Sequence, residues 1–475
     1  MSGNRESKRP IVTRAVALAA LAGAVYLVVA GGYRFDYRQT PFAHHILVAD
    51  AMLHGQLHVR DDVARRMVRT LHDWTVVDGK LYGYWAPLAP IVMMPFVAAF
   101  GPTVSDRLVD ACFGALNVGL FYWFLRRARQ SGLVPFSESC CVALALVLAF
   151  GSVSFYLSSI GRVWFAVQVF TLTAVLGACV AIVAPSASTL SHVVAGCCFG
   201  AAILGRNITA ALGLFFVVVI WLRAAGAPRR RAAVAARLIA FAIPCVVAIG
   251  LQALYNYERF GDAREDGAAI QIATTGDPRF AAEYRQHGLF SPYYLRRNAK
   301  YYLWNYELPV DASGRRLPDF DGNSMFLVTP PLAYVALAWR RRAPLALAAA
   351  AGVAPFFAAL MLYVATGYTQ FGNRYLLEGL PLLLVLVGAG MNGEVSHLAY
   401  VLVVLAVAMN AWGTYVWSCM DDCSAIAPYV GPWTLPAFVG AALAARAGWA
   451  WRRSRVGARS SGHDSQAPGA PSSQA

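Results

Sequence analysis

Residues 31–101 read GGYRFDYRQTPFAHHILVADAMLHGQLHVRDDVARRMVRTLHDWTVVDGKLYGYWAPLAPIVMMPFVAAFG, a long polar segment in a chain that is otherwise largely apolar. Ionisable side chains are concentrated here between aromatic residues and prolines: Asp36, His44, His45, Asp50, His54, His58, Asp61, Asp62, His72, Asp73 and Lys80. In a membrane protein, ionisable groups gathered in one loop indicate a functional site more than a simple connection. We therefore expect chemistry in this first loop.

The composition of the rest of the chain indicates an integral membrane protein. Of its 475 residues, 58% are hydrophobic and only 14% are charged, and the mean hydropathy is +0.51. Soluble domains carry about 25% charged residues. The apolar runs are about 18–24 residues long, the length that a helix needs to cross roughly 30 Å of hydrocarbon. They lack the period-two alternation of membrane strands, so we predict helices as the spanning elements.

The formal net charge of +15 comes from short basic clusters at the ends of apolar runs. Such clusters are typical of topology anchors under the positive-inside rule, and they do not predict a nucleic-acid partner. The N-terminal residues are polar and basic, and no small-residue cleavage site follows the first apolar run. We interpret this run as a retained transmembrane helix and not a signal peptide.

The apolar runs predict an all-α polytopic protein of about twelve transmembrane helices. These lie near residues 11–31, 106–126, 138–158, 162–184, 189–205, 207–223, 235–255, 324–339, 344–366, 375–391, 396–416 and 434–450. The predicted organisation is a cytoplasmic tail (1–10), the first helix (11–31), an outer loop (32–104), helices 2–7 (105–255), a second outer loop (256–323), helices 8–12 (324–451) and a disordered cytoplasmic tail (452–475).

The segment 86–100, APLAPIVMMPFVAAF, is predicted not to cross the membrane. It is short, and Pro87, Pro90 and Pro95 interrupt the backbone hydrogen bonds that lipid demands. We expect a re-entrant or interfacial helix, and this choice also keeps the later basic clusters on the cytoplasmic side.

Several familiar sites are absent from the sequence. The nine cysteines form no C-x-x-C pair and no zinc-ligand spacing, so no cofactor is predicted and a divalent metal is not indicated. Cys419 and Cys423 bracket a polar loop, where a disulfide and free thiols both remain open. There is no P-loop, G-x-S-x-G, H-E-x-x-H or dinucleotide fingerprint. The chain also has no soluble catalytic domain of the nucleotide-sugar type. Any transferase activity would therefore have to use a donor held in the membrane.

The first loop contains the candidate catalytic carboxylates. The stretch FAHHILVADAMLHG (42–55) has the pattern of a short interfacial helix, with Asp50 one turn from His54 and about two turns from His44 and His45. Asp36 follows the first helix directly. A carboxylate held at the membrane surface beside imidazoles could act as general base for an acceptor hydroxyl, with Asp36 preferred and Asp50 second. The alternative is a solvated helix face.

The stretch DGKLYGYWAPLAP adds candidate binding residues. A tight turn is predicted at Asp78-Gly79, followed by Tyr82 and Tyr84, aromatic residues that favour the membrane interface. Lys80 could bind a phosphate or extend from the interface to water.

Arginines near the outer ends of helices are the other candidates. Arg162, Arg206 and Arg374 are unexpected there under the positive-inside rule, and guanidinium groups suit phosphate or pyrophosphate. Asn207 lies in the turn after Arg206. Glu378 lies one helical turn after Arg374, so a structural ion pair is the alternative for these two.

The first half of the chain resembles the GT-C superfamily of membrane glycosyltransferases, especially its protein O-mannosyltransferase and aminoarabinose-transferase branch. The similarity lies in ADAMLHGQL, DGKLYGYWAPLAP, FGPTVSDRLVDACFGALNVGLFYWFLRR, the Gly-Arg at 161–162 and the GRN turn at 205–207. YNYERFG and QFGNRYLLEGLP in the second half look like segments of bacterial relatives.

This resemblance implies transfer of a sugar from a polyprenyl-phosphate donor to an acceptor hydroxyl of unknown identity, outside the cytoplasmic membrane of a bacterium. It also implies a catalytic acid early in the first outer loop. In this chain the corresponding register holds Pro41 and Phe42, which leaves Asp36 and Asp50. The alternatives are a secondary transporter or lipid flippase, and a non-catalytic protein on the same scaffold.

Overall fold

The computed structural model describes residues 8–418, apart from 277, 311–313, 315, 341–342 and 368–369, and residues 440–446 apart from 443. The chain divides into two compact units, Met1–Ala425 and Ile426–Ala475. In the second unit the described residues are helical. Cys419, Cys423, most of the predicted helix 434–450 and the tail 452–475 lie outside the described residues.

The first unit is built almost entirely of helices. Its α-helices are α1 (Lys8–Ala30), α2 (His44–Leu53), α3 (Asp61–Met67), α4 (Leu88–Phe100), α5 (Asp106–Gln130), α6 (Glu138–Phe150), α7 (Ser154–Ile160), α8 (Val163–Ile182), α9 (Thr189–Ile203), α10 (Gly213–Arg223), α11 (Arg230–Phe260), α12 (Ala268–Thr274), α13 (Pro278–His287), α14 (Leu295–Ala299), α15 (Met325–Val328), α16 (Pro344–Leu362), α17 (Leu380–Gly390) and α18 (His397–Ser418). Short 3₁₀ helices cover Asn207–Leu212, Pro292–Tyr294, Pro330–Arg340 and Arg374–Leu376, and a π-helix covers Lys300–Trp304.

Six described helices are long and apolar enough to cross a membrane: α1, α5, α8, α11, α16 and α18. The pair α6 and α7 raises this number to seven if its two helices, which meet at 48°, form one broken span. Four shorter apolar helices are Leu88–Phe100, Thr189–Ile203, Asn207–Arg223 and Leu380–Gly390. The all-α polytopic fold class predicted from the sequence is confirmed, whereas the total of twelve crossings stays a prediction.

Several predicted helices are shorter or more broken than the hydropathy pattern indicates. The run 324–339 forms the single turn α15 and then a 3₁₀ helix that begins at Pro330. Two consecutive prolines at 330–331 remove two backbone donors, which prevents a continuous α-helix. The run 138–158 bends where Gly151 follows α6, since glycine disfavours helix continuation.

The first loop is a compact layer rather than an extended connection. Strands β1 (Thr75–Val77) and β2 (Lys80–Tyr82) pair antiparallel. Their turn has positive φ at Asp78 and Gly79 (50° and 73°), which suits a two-residue hairpin. In α2, residues 44–51 are all buried. The idea that α2 presents a solvated face is therefore wrong, because the hairpin, α4 and the start of α8 surround it.

Helices α9 and α11 pack through two glycines spaced four residues apart. A Cβ added to Gly196 would lie 2.2 Å from the carbonyl oxygen of Phe241, and one added to Gly200 would lie 2.9 Å from the Cβ of Ala248. The backbones therefore approach more closely than any side chain allows, as in small-residue contacts between membrane helices.

We expect Gly196→Ala to destabilise the protein by about 1–3 kcal/mol, because the new methyl group overlaps a backbone atom that cannot rotate away. Thermal unfolding in detergent micelles measures this. Gly250→Ala is the matched control, since a Cβ there meets nothing within 4 Å and alanine is the better helix former. Equal unfolding midpoints for the two variants would contradict the packing argument.

Candidate functional site

Asp73 joins three separate segments of the chain. Its side chain accepts hydrogen bonds from the indole N–H of Trp164 at the start of α8 (2.7 Å) and from the side-chain amide of Gln271 in α12 (2.8 Å). Nε2 of His72 lies 3.3 Å from Oδ2 of Asp73. Asp73 is only 9% exposed and has a positive φ of 63°. The carboxylate is thus held in one orientation by two hydrogen-bond donors from distant segments.

Two buried histidines form the wall beside Asp73. The Nε2 atoms of His44 and His45 lie 3.1 Å from the carbonyl oxygens of His72 and Val163, respectively. The two rings pack edge-on against Trp85, with centroids 5.4 and 5.1 Å away. Burial lowers the pKa of His44, and burial together with the neighbouring His44 lowers the pKa of His45 to about 3. Both rings are neutral at pH 7, so neither supplies a positive charge for a phosphate.

This burial predicts a dependence of stability on pH. Between about pH 3 and 6.5 the unfolded chain binds a proton at His45 that the folded chain excludes. The free energy of unfolding is therefore highest, as far as His45 is concerned, above roughly pH 6.5, the ordinary histidine pKa. It decreases as the pH falls towards 3. We expect the unfolding midpoint to fall on acidification.

His45→Gln should reduce that fall, because a glutamine amide can still donate to the Val163 carbonyl but does not titrate. The slope should not vanish, since His44 contributes in the same direction. Unfolding midpoints measured from pH 7 to 4 test this, with His397→Gln, at an exposed position, as the control. An unchanged slope in His45→Gln would contradict the assignment.

Tyr84 connects Asp73 electrostatically to a second group of residues. Its ring stacks on Trp85 at 4.1 Å. Burial raises the pKa of Tyr84 well above its usual range, the charge of Asp73 raises it further, and the guanidinium of Arg374 lowers it. The pKa of the Tyr84 hydroxyl thus responds to both the carboxylate and the cation.

The second group is a buried set of two arginines and a glutamate around Tyr375. Nη1 of Arg206 lies 2.8 Å from Oε1 of Glu378, which is fully buried. The guanidinium carbons of Arg206 and Arg374 lie 4.4 and 5.1 Å from the centroid of the Tyr375 ring. Gln168 in α8 donates to the carbonyl oxygen of Arg374 (2.8 Å). Two cations thus face one ring, and the single carboxylate is paired with Arg206.

Some polar atoms of this group have no hydrogen-bond partner among the described residues. They are Nε of Arg374, Oε2 of Glu378 and the hydroxyl of Tyr302. Arg374 is 6% exposed, and no described carboxylate is within ion-pair distance of it. A buried guanidinium with excess charge and an unused donor is suited to an anionic ligand. We call Arg206, Tyr302, Arg374, Tyr375 and Glu378, together with Asp73 and Tyr84, the central cluster.

Of the candidates predicted from the sequence, the central cluster and its histidine wall bring together His44, His45, Tyr84, Arg206, Arg374 and Glu378. Arg162 borders them, with its guanidinium 5.7 Å from the Phe42 ring and an unusual φ of 102°. Asn207 begins the 3₁₀ helix directly after Arg206 and is exposed.

The two predicted catalytic carboxylates have other partners. Asp36 is half exposed and forms a surface ion pair with Arg38 (2.9 Å). Asp50 is buried, and its carboxylate lies 3.2 Å from Nε of Arg60 and 3.8 Å from Nδ1 of His54. Asp50 therefore holds the end of α2 to the following loop.

The hairpin residues Lys80 and Tyr82 lie on another surface of the first loop. Lys80 is exposed in β2. The Tyr82 ring packs against Phe260 at the end of α11, with centroids 5.5 Å apart. These contacts attach the hairpin to α11.

Sequence reasoning missed Asp73, Trp164, Gln271, Tyr302 and Tyr375 as site residues. Asp73 was visible as one acid among several in the first loop. Gln271 lies 198 residues from it in sequence, and no local pattern marks it. Among the described residues, no group of three or more His, Cys, Asp and Glu side chains is arranged to hold a metal ion.

No family model and no curated protein matches the sequence. Solved structures do match. The oligosaccharyltransferase of Archaeoglobus fulgidus in the apo form is 13% identical, with a TM-score of 0.48 over 88% of this chain and 56% of that chain. The oligosaccharyltransferase AglB from Archaeoglobus fulgidus, in complex with an inhibitory peptide and a dolichol-phosphate, is 13% identical, with a TM-score of 0.44 over 86% of this chain and 56% of that chain.

ArnT from Cupriavidus metallidurans bound to undecaprenyl phosphate is 15% identical, with a TM-score of 0.42 over 92% of this chain and 70% of that chain. These proteins are GT-C glycosyltransferases, the class that the sequence resembles. The chain spans little more than half the length of the oligosaccharyltransferase.

Proposed function

We propose that this chain is a membrane glycosyltransferase that transfers a sugar from a polyprenyl-phosphate donor to an acceptor hydroxyl. The observation that carries the proposal is the buried excess charge of Arg374, which has an unused Nε donor and whose guanidinium lies 5.7 Å from the ring of Phe165, the neighbour of Trp164 that donates to Asp73. A base for the acceptor and a cation for the leaving phosphate thereby occur in one buried cluster.

The reaction needs few groups from the protein. The acceptor oxygen attacks the anomeric carbon and forms the new glycosidic bond, while the bond from that carbon to the phosphate oxygen breaks with inversion. The acceptor proton passes to the carboxylate of Asp73. Polyprenyl phosphate leaves with the bonding electron pair, and Arg374 stabilises its charge.

Asp73 suits the role of base better than the two carboxylates favoured by sequence. It is buried and oriented by Trp164 and Gln271. Asp36 is in a surface ion pair, and Asp50 is committed to Arg60. In this proposal Arg206 and Glu378 position Tyr375 and Arg374 and do not touch the acceptor. The donor would reach the cluster from the membrane, and a bacterial cytoplasmic membrane is the expected location.

Lipid analysis of the purified protein tests the proposal. Lipids extracted from protein purified in mild detergent should contain a polyprenyl phosphate or its glycosylated form, identified by mass spectrometry. Protein incubated with radiolabelled polyprenyl-phosphate sugars and a membrane extract should convert one of them to polyprenyl phosphate and a labelled product. The proposal would be overturned if the purified protein contained no polyprenyl phosphate and converted none of these donors.

A further inference from the structure

The segment from Pro292 to Trp304 in the second loop is fixed to the end of an apolar helix. The side-chain amide of Asn298 donates to the carbonyl oxygens of Leu360, Met361 and Tyr363 at distances of 2.7–3.1 Å. These carbonyls are at the C-terminal end of α16, one of the six membrane-spanning candidates. As a membrane span, α16 would leave the hydrocarbon at this end, so the segment is expected at the level of the headgroups.

One face of this segment carries cations between two aromatic rings. Tyr293, Arg296, Lys300 and Trp304 are spaced by three, four and four residues, which places them on the same side of a helix. The last turn is the π-helix Lys300–Trp304, and Trp304 lines the same groove as Tyr293, Arg296 and Lys300. Tyr293 and Trp304 are 57% and 55% exposed. Exposed Tyr and Trp are typical of the membrane headgroup region.

A groove of about 610 Å³ runs along this face. It is lined by Glu283, Tyr293, Tyr294, Arg296, Arg297, Lys300 and Trp304. Three cations thus face one carboxylate. The guanidinium of Arg297 is already engaged, because it pairs with Glu283 and donates to the carbonyl oxygen of Val364. Two positive charges remain for a ligand.

Those two cations are weakly engaged within the chain. The side chain of Arg296 is exposed and forms no hydrogen bond or ion pair with the described residues. Nζ of Lys300 lies 3.7 Å from Glu307, whose side chain is 71% exposed. An exposed ion pair of this length contributes little and is readily exchanged for a stronger acceptor.

We propose that this groove binds the phosphate headgroup of an anionic glycerophospholipid. Arg296 and Lys300 would contact the phosphate, and Tyr293 and Trp304 would flank the glycerol and the start of the acyl chains. The volume fits a whole headgroup rather than a lone ion. The lining residues differ from those of the central cluster, so the inference does not depend on sugar transfer.

A titration of the full-length protein tests the groove. Protein in neutral detergent, stripped of lipid by washing, is titrated with short-chain phosphatidylglycerol by calorimetry, and phosphatidylcholine of the same chain length serves as the zwitterionic comparison. We expect saturable binding of phosphatidylglycerol at least tenfold tighter than that of phosphatidylcholine. Arg296→Gln combined with Lys300→Gln should weaken phosphatidylglycerol binding at least tenfold.

The control is Arg264→Gln combined with Arg285→Gln, which removes the same charge from exposed positions of the same loop. It should change the affinity less than twofold. Equal weakening by the two double variants would mean general charge attraction and would overturn the site. Equal affinity for phosphatidylglycerol and phosphatidylcholine would also overturn the site. Inorganic phosphate binding as tightly as phosphatidylglycerol would identify a free-phosphate site and overturn the lipid assignment.

Discussion

Asp73→Asn is expected to lower sugar transfer by about 10²–10⁴-fold, the usual contribution of a general base. The variant should fold. The asparagine carbonyl can accept from Trp164, and its amide can donate to Gln271 once the Gln271 amide turns over, so both hydrogen bonds of the carboxylate are replaced. What the variant lacks is a group that takes up the acceptor proton. Initial rates with a labelled polyprenyl-phosphate sugar and the thermal unfolding midpoint measure the two effects separately.

Asp36→Asn is the matched comparison, since it makes the same chemical change in the same loop. We expect its transfer rate to stay within about twofold of the unmodified protein, because its surface ion pair contributes little. The reverse pattern, with transfer lost in Asp36→Asn and kept in Asp73→Asn, would return the role of base to Asp36.

Glu378→Ala is expected to destabilise the protein by about 3–5 kcal/mol, because it leaves the guanidinium of Arg206 buried without its carboxylate. Arg206→Met should cost a similar amount, since it leaves the fully buried Glu378 unpaired. Unfolding in detergent, followed by heat or by denaturant, measures both variants.

The double variant Arg206→Met/Glu378→Met should recover most of this stability, because no unpaired charge remains in the interior. It should not recover sugar transfer, because the support of Tyr375 and Arg374 is lost. If each single variant and the double variant were all as stable as the unmodified protein, the pair would be solvated rather than buried, and the central cluster would lose its low-dielectric setting.

The helices could be predicted from the sequence where their cause is local. The beginning of α5, predicted at residue 106, coincides with Asp106, where Ser105 caps the first turn. The predicted end of the 207–223 run coincides with Arg223. Prediction was less accurate where prolines or glycine interrupt an apolar run, as at Pro330 and Gly151, because hydropathy averages over a window and is insensitive to a missing backbone donor.

The candidate site was predicted only in part. Arg206 and Arg374 stood out because arginines are unexpected at those helix ends, and Glu378 because it lies one helical turn after Arg374. The tyrosine next to Arg374 carried no such signal, although its ring is the surface that both guanidinium groups face. In the first loop, the sequence favoured Asp36 for its place directly after the first helix, and nothing in the spacing of the acids marked Asp73.

By itself, the amino-acid sequence determined that this chain is a helical membrane protein with its ionisable residues gathered in the first loop, because length and hydropathy of each segment decide whether it can leave water. Only the tertiary structure decided which of those residues face one another. Asp73 meets Gln271 across 198 residues and Arg206 meets Glu378 across 172. Such pairings depend on how distant helices pack and on a positive φ at Asp73, and neither is written in a local pattern of side chains.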